Sequence, residues 1–488
     1  MHNSTDLTDK KLAAMWKTID WKHAERTVSN LQTRIARAAL EKRWKDVRRL
    51  TRLLTRSYSA KLIAVRQVTT SKGKNTPGVD GVTWRKKADK MRGALNLNDK
   101  GYHAMPLLRK YIRKKNGKYR PLSIPTIRDR AMQALYALAL SPIEAATGDA
   151  SSFGFRKYRS PNDACSYLFT CLSHRNSAQW VLEADIKSCF DMISHQWLLA
   201  NIPMDQNILR QFLKAGFLEG GRMFPSKSGT PQGGVISPIL ANITLNGLET
   251  ILGSRFHSNK KGTINKSYNR QKVNLVRYAD DIVITADTPE TAEGVKQILK
   301  EFLNDRGLEL SEEKTHITHI GEGFTFLGWE FRKFNGKLIV KPSKESVNTF
   351  IGKIHKILRK GRSWSQDALI AAINPIIRGW CNYHRHVCAS KTFSKTDYVI
   401  FHMLYSWVRR KHHNESKRVT VKKYWHQKGS RKWVFSTSTQ ELKTLSQTKI
   451  IRYRMIKRDK NPYLDREYFE NRRIRMKRKN LLSNLSPI

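Results

Sequence analysis

Acidic residues are scarce in this sequence. Asp and Glu together number 40 against 91 Lys and Arg over 488 residues, a formal net charge of +51. A folded chain with that excess repels itself until a polyanion neutralises it, so nucleic acid is the expected partner, ahead of an anionic membrane surface. Cysteine is scarce too. The five thiols, Cys165, Cys171, Cys189, Cys381 and Cys388, form no Cys-x-x-Cys pair, which argues against a disulfide scaffold and a zinc ribbon. Long apolar runs are missing. The longest, AMQALYALAL at 131–140, falls short of the roughly 18 residues that span a bilayer and predicts a buried helix. The first ten residues, MHNSTDLTDK, are polar and carry acids, unlike a secretory signal or a transit peptide. The expectation is a protein without a membrane partner, working in a bacterial cytoplasm at the nucleoid.

What is present is enough for real cores: 39% hydrophobic and 9% aromatic residues, in a chain long enough for two to four domains. Val28, Leu31, Ile35, Trp44, Val47, Leu50 and Leu54 recur at helical spacing, predicting helix across about 28–68. TTSKGKNTPGVDGVTW then breaks the pattern into a basic loop. KKNGKYRPLSIP predicts a hairpin turning at Asn116-Gly117, and QWVLEADI a short strand ending in Asp185. KSCFDMISHQWLLANI reads as helical, and VNLVRYADDIVITA as two strands folded at Ala279-Asp280. After Pro342 three amphipathic helices follow, the first two capped by Ser343 and Ser365, the second containing Pro375. From about Glu415 the chain is basic with interleaved aromatics, including Tyr424, Trp425, Trp433 and Phe435. These suit base stacking or the core of a small domain equally well.

In such a basic chain, the adjacent pair Asp280 and Asp281 in an apolar stretch needs a reason. If the strand ending at Asp185 neighbours that hairpin, three carboxylates from distant sequence converge. Like charges at close range resist joint ionisation, and an oxygen-only donor set suits Mg²⁺. Two such ions activate an attacking hydroxyl and stabilise a leaving pyrophosphate. Alone, Asp-Asp is far more readily an ordinary turn.

The company of the pair is what carries weight. TPGVDGVTW, NGKYRPLSIPTIRDRAMQALYALALSPIEA, SFGFRKYRSPNDA, LEADIKSCFDMISH, GTPQGGVISPILANITLNGLE, LVRYADDIVI, LELSEEKTHI and FTFLGWEF follow one another between about Pro77 and Phe331. In that order they resemble the group II intron-encoded reverse transcriptase/maturase family. INPIIRGWCNYHRHV resembles that family's thumb, and RMIKRDKNPYLDREYFENRR its DNA-binding region. The resemblance implies an α+β right-hand polymerase with fingers and palm, an α-helical thumb and a small basic C-terminal domain. Its expected divisions are a basic helical extension and loop at 1–84, fingers and palm at 85–340, thumb and maturase region at 341–414, and DNA-binding region at 415–488.

The roles it implies fall on particular residues. Asp185 and Asp280, helped by the Ile186 carbonyl, would hold two Mg²⁺, with Asp281 the neighbouring acid. Lys114 and Arg120 would reach the triphosphate of an incoming dNTP, where a guanidinium fork and a point charge both suit phosphate. Gln232, within GTPQGG, would contact the nucleotide, Phe190 its sugar, and Lys314 the leaving pyrophosphate. Nucleic-acid contacts are expected at Arg378, His384, Arg385, Trp425, Lys432, Trp433, Arg452, Arg472 and Arg473. His384 and His386 lack nearby Cys or acid ligands and are not read as a metal site.

The implied function is RNA-templated DNA synthesis joined to maturase activity. The chain would bind its group II intron RNA to promote splicing, then support retrohoming into target DNA by target-primed reverse transcription. No Cys or His follows His426, so the endonuclease domain of many family members is not expected. A host-adopted polymerase, for example in defence, and a non-catalytic splicing factor are the alternatives; the intact acids argue against the second. A homodimer is left open.

Overall fold

The computed structural model describes residues 8–113, 117, 119–259 and 262–484, with side chains described as far as 476. The chain opens with helices Asp9–Lys17, Trp21–Leu40, Trp44–Arg56 and Tyr58–Thr70. The helical stretch expected across 28–68 is therefore broken twice. Lys42 adopts a left-handed φ of +56° and Ser57 an extended conformation. The breaks fold the helices back onto helix Ile127–Thr147, so that Leu31, Ile35, Leu50 and Leu54 share one core with Ala131, Leu135 and Leu140. The basic loop after Thr70 is tied down. The Arg130 guanidinium donates to the carbonyls of Gly73 at 2.8 Å and Thr76 at 2.6 Å. Gly78 lies so close to Thr126 that a Cβ would come within 2.7 Å of its backbone.

The strands in chain order are β1 (Leu107–Arg113), β2 (Tyr119–Ile124), β3 (Trp180–Asp185), β4 (Phe217–Glu219), β5 (Arg222–Phe224), β6 (Asn274–Tyr278) and β7 (Asp281–Ala286). They continue with β8 (His316–His319), β9 (Phe324–Phe326), β10 (Trp329–Phe334), β11 (Lys337–Pro342), β12 (Trp425–Lys428) and β13 (Arg431–Phe435). β1 and β2 form the expected hairpin, joined by β4 and β5 in the order β2-β1-β4-β5. The central sheet runs β6-β7-β3-β8 and is buried on both faces. Its alternation is clean. Leu182, Ala184, Leu275, Ile282 and Ile284 enter the core shared with the N-terminal helices, while Val181, Val276 and Val283 enter a second core.

Residues 187–202 do not form one helix. Two short helices, Cys189–Met192 and His195–Asn201, are split at Ile193-Ser194. The Ile193 carbonyl accepts from the Gly229 N–H at 2.8 Å, and the Ser194 N–H donates to the Arg306 carbonyl at 2.9 Å. Ladder bonds are exchanged for tertiary ones that bring distant loops to this point.

The second core holds helices Lys344–Lys360, Gln366–His384 and Ser390–Lys411. Ser343 and Ser365 cap the first two as expected, accepting from the N–H groups of Ser346 and Ala368. This core does not stop at residue 415, because Trp425, Phe435, Leu442 and Leu445 belong to it. Beyond them the chain runs back across the molecule. Ile456 N–H bonds the Asp163 carboxylate at 2.9 Å, Phe469 stacks on Tyr158 at 4.9 Å, and the Thr33 hydroxyl donates to the Tyr463 carbonyl at 3.1 Å. Among the described residues no helix is long and apolar enough to cross a membrane.

Candidate active site

The β3–β7 register sets Asp185 directly opposite Asp281. The turn between β6 and β7 is Ala279-Asp280, and Ala279 takes φ +59°. This left-handed residue is held from behind. Gly154 is seated against it so closely that a Cβ would lie 2.2 Å from the Ala279 nitrogen. The Arg277 side chain, fully buried, donates to the Ala279 carbonyl at 3.4 Å and to the side-chain carbonyls of Asn242 at 3.3 Å and Asn246 at 2.8 Å. Burial lowers its hold on the proton, with the Asp149 carboxylate opposing. Arg277, Gly154 and Asn242 were not picked out from the sequence. The visible signal was an arginine three residues before the acid pair, following the apolar Leu275 and Val276.

The acids face a cleft of about 920 Å³. Asp185, Ile186, Phe190, Gln232, Asp280, Lys314 and Arg120 all line it; Asp281 is not among the lining side chains. Lys114 lies outside the described residues. The Lys314 ammonium bonds an Asp185 carboxylate oxygen at 2.6 Å, which raises the lysine pKa. Burial, with the charge of Asp185 added, raises the Asp280 carboxyl above its ordinary range, against the pull of Arg120 and Lys314. Asp281 keeps an exposed edge, yet the protein crowded around it and the charges of Asp280 and Asp185 push it up to about 6. The bridge between Ile186 and Leu310 is made by the Asp185 carbonyl and the Lys187 N–H. It does not use the Ile186 carbonyl.

Among the described residues no three His, Cys, Asp or Glu side chains are already gathered as a ligand cluster. The donor set is instead two cleft-facing carboxylates and a carbonyl, a surplus of negative charge met in part by a lysine. That suits a hard cation that keeps its waters and takes phosphate oxygens from a substrate.

The glycine loop closes one wall. Gly229, at φ +80°, sits against the Phe190-Asp191 backbone, where a Cβ would come within 2.5 Å, and Thr230 N–H bonds the Phe190 carbonyl at 2.6 Å. Gly233, at φ +116°, is set against the Ser123 carbonyl of β2, where a Cβ would come within 2.8 Å. The Gln232 amide donates to Asp191 at 2.9 Å, which fixes its side chain at the cleft wall.

Several residues expected to touch nucleic acid are core residues. His384 is 1% exposed, edge-on to Trp329 and Tyr383 and tilted against Trp380, with Nε2 against the Ser346 hydroxyl at 3.0 Å. Trp425 is 6% exposed between Phe401 and Phe435. Arg385 is buried and donates to the Lys449 carbonyl. Arg472 is half-buried, bracing the Arg454 carbonyl and the Tyr453 hydroxyl. His384, Trp425 and Arg385 are enclosed by the protein, so those three contacts are corrected, whereas Arg472 keeps part of its surface exposed. Arg378, Lys432, Arg452 and Arg473 are exposed, and Trp433 is 63% exposed.

Residues 112–331 match the reverse transcriptase (RNA-dependent DNA polymerase) family. Residues 16–97 match the N-terminal domain of reverse transcriptase, and residues 347–425 the group II intron maturase-specific domain. The chain is 33% identical over 373 residues to Protein YkfC of Escherichia coli K12, covering 69% of this chain and 97% of that one. It is 29% identical over 434 residues to the group II intron-encoded protein LtrA of Lactococcus lactis subsp. cremoris, covering 71% and 72%. Among solved structures, apo telomerase from Candida tropicalis aligns with a TM-score of 0.36 at 16% identity, over 49% of this chain and 55% of that one. The family of polymerases so matched uses divalent metal ions, and its maturase domain implies binding of intron RNA. An acid-lined cleft on a four-stranded sheet, followed by a maturase-specific helical block, is thus explained by descent: the chain belongs to the group II intron-encoded reverse transcriptase/maturase family, an RNA-directed DNA polymerase that is also a maturase.

Proposed function

We propose that Asp185 and Asp280, with the Ile186 carbonyl, are the groups that hold two Mg²⁺, and that the enzyme serves retrohoming of its intron by target-primed reverse transcription. The observation that carries this is the convergence of Asp185 and Asp280 on one cleft with Arg120, Gln232 and Phe190. Bound there, the ions would neutralise the triphosphate and activate the primer hydroxyl. Arg120 orients the triphosphate, since it stands exposed at the cleft and already acts on the Asp280 charge. Lys114, which precedes the Asn116-Gly117 dipeptide in sequence, serves the same end. Asp281 opposes Asp185 across the strands and adds charge that favours a cation. Lys314, paired to Asp185, is positioned to give a proton to the departing pyrophosphate once a cation displaces it. Phe190 packs against the sugar, and Gln232 holds the nucleotide wall.

The β1–β2 hairpin acts as fingers, the central sheet as palm and the block 344–411 as thumb. Intron RNA and target DNA run along exposed basic residues such as Arg378, Lys432 and Arg473, with Trp433 offering a ring for stacking. With no spanning helix among the described residues, a bacterial cytoplasm is the setting that this reading favours.

The experiment is primer extension on an RNA template by Asp185→Ala and Asp280→Ala. Each is expected to lose at least about a hundredfold in rate, roughly 2.7 kcal/mol of barrier, with intron RNA binding and splicing retained. Extension above a few per cent of wild type in either variant would overturn the assignment.

A further inference from the structure

Phe155 stands in a conformation that bulky residues rarely take. Its φ is +58°, and the residue is 55% exposed. Burial therefore does little to offset the strain of a left-handed aromatic residue. The neighbours impose it. Phe153 N–H donates to the Arg277 carbonyl at 2.8 Å. Gly154 is pressed on Ala279, and its carbonyl accepts from the Asn242 amide at 2.9 Å. On the other side Arg156 is locked in a buried ion pair with Glu144 at 2.9 Å. The backbone on both sides of Phe155 is fixed to the rear of the catalytic turn and to the core.

The result is that the ring meets Phe190 edge-on, with centroids 6.3 Å apart and planes at 78°, an attractive aromatic geometry. Phe190 lines the catalytic cleft, whereas Phe155 lines a separate cavity of about 530 Å³ and not the cleft. Phe155 thus backs Phe190 from outside. We infer that Phe155 is a positioning residue for sugar selection, a backstop that keeps the Phe190 ring from retreating when a ribose enters. The inference rests on the reading that Phe190 packs against the sugar. The same strand turn that sets Asp280 then also sets the backstop, so nucleotide geometry and acid geometry share one support.

The test is single-nucleotide incorporation with matched deoxy- and ribonucleotides. Phe155→Asn removes the ring while tolerating the backbone, Phe155→Gly also relieves the strain, Phe155→Tyr keeps the ring, and Phe190→Val reports on the gate itself. Phe155→Asn and Phe155→Gly are expected to lower the deoxy-over-ribo ratio of kcat/KM about tenfold, mainly through the ribonucleotide KM. Phe155→Tyr should keep the wild-type ratio, and the melting temperature of Phe155→Gly should not fall. A purely structural residue would depress both substrates together and leave the ratio unchanged, which would overturn the inference. If Phe190→Val shifts the ratio while the Phe155 variants leave it within twofold, the backstop is wrong and the Phe190 reading stands. If Phe190→Val leaves the ratio unmoved, the sugar reading fails and the backstop falls with it.

Discussion

Asp163 and Asp280 both sit deep in a protein with few acids, and they are treated in opposite ways. Asp163 is 0% exposed and saturated by the protein. It accepts from the N–H and hydroxyl of Ser160 at 2.9 and 2.7 Å, from Ile456 N–H at 2.9 Å, and it pairs with Arg472 at 3.5 Å. Asp280 shares its cleft with Asp185 and is left with its proton affinity raised by burial. The difference separates adhesive from chemistry. A buried carboxylate whose donors all come from the chain joins segments that are far apart in sequence. One whose surroundings remain short of positive charge is kept ready for something the chain does not contain.

The comparison can be broken hardest by ending the chain at residue 414. That removes Ile456 and Arg472 from Asp163 and strips Trp425, Phe435, Leu442 and Leu445 from the second core. Soluble folded protein is expected to be lost, and with it polymerase and splicing activity together; circular dichroism and gel filtration would show it. A folded, polymerase-active truncation would make the tail a separate module.

A narrower cut is Asp163→Ala. It leaves Arg472 and Ile456 N–H without their acceptor and is expected to destabilise by about 3 kcal/mol, read in a thermal melt. Extension rate per folded molecule should stay near wild type, the reverse of Asp280→Ala. Equal rates of loss in the two variants would erase the distinction.

His384 sharpens it with a buried base. Its Nδ1 has no partner, it is surrounded by aromatic rings with the Ser346 hydroxyl on Nε2, and burial depresses its pKa to about 4. Because the folded value lies below the ordinary 6.5, its neutral form contributes fully above about pH 6.5. That contribution fades as pH falls toward 4, costing about 2 kcal/mol at pH 5. Melting curves of wild type and His384→Gln are expected to converge as pH drops through this window. Parallel curves would place the acid sensitivity elsewhere.

The hairpin at Ala279-Asp280, the strand ending at Asp185 and both serine caps were legible because each is a local pattern: period-two burial, a turn, an N-cap. The break at Lys42 and the split at Ile193-Ser194 were not, since neither carries a proline or glycine; the first is closed by Arg43 N–H on the Ala38 carbonyl with Lys42 left-handed, and the second answers to contacts with remote segments. The same blindness covers the site's support. An alternating strand announces which residues are inside, but not that Arg277 braces its own turn through Asn242 and Asn246. Aromatic and basic residues in the tail look alike whether they wait for RNA or pack inward. Trp425 went inward because Phe401 and Phe435 come from other elements, and His384 because Trp329 of β10 closes over the rings of its own helix.

The contact from Thr33 to Tyr463 spans 430 positions. During synthesis the N-terminal helices emerge first and must wait for nearly the whole chain before that latch can shut. Closure of so long a loop comes late and slowly, so a ribosome that stalls early releases a protein with an unlatched face. Assembly of this enzyme is in that sense a test of complete translation.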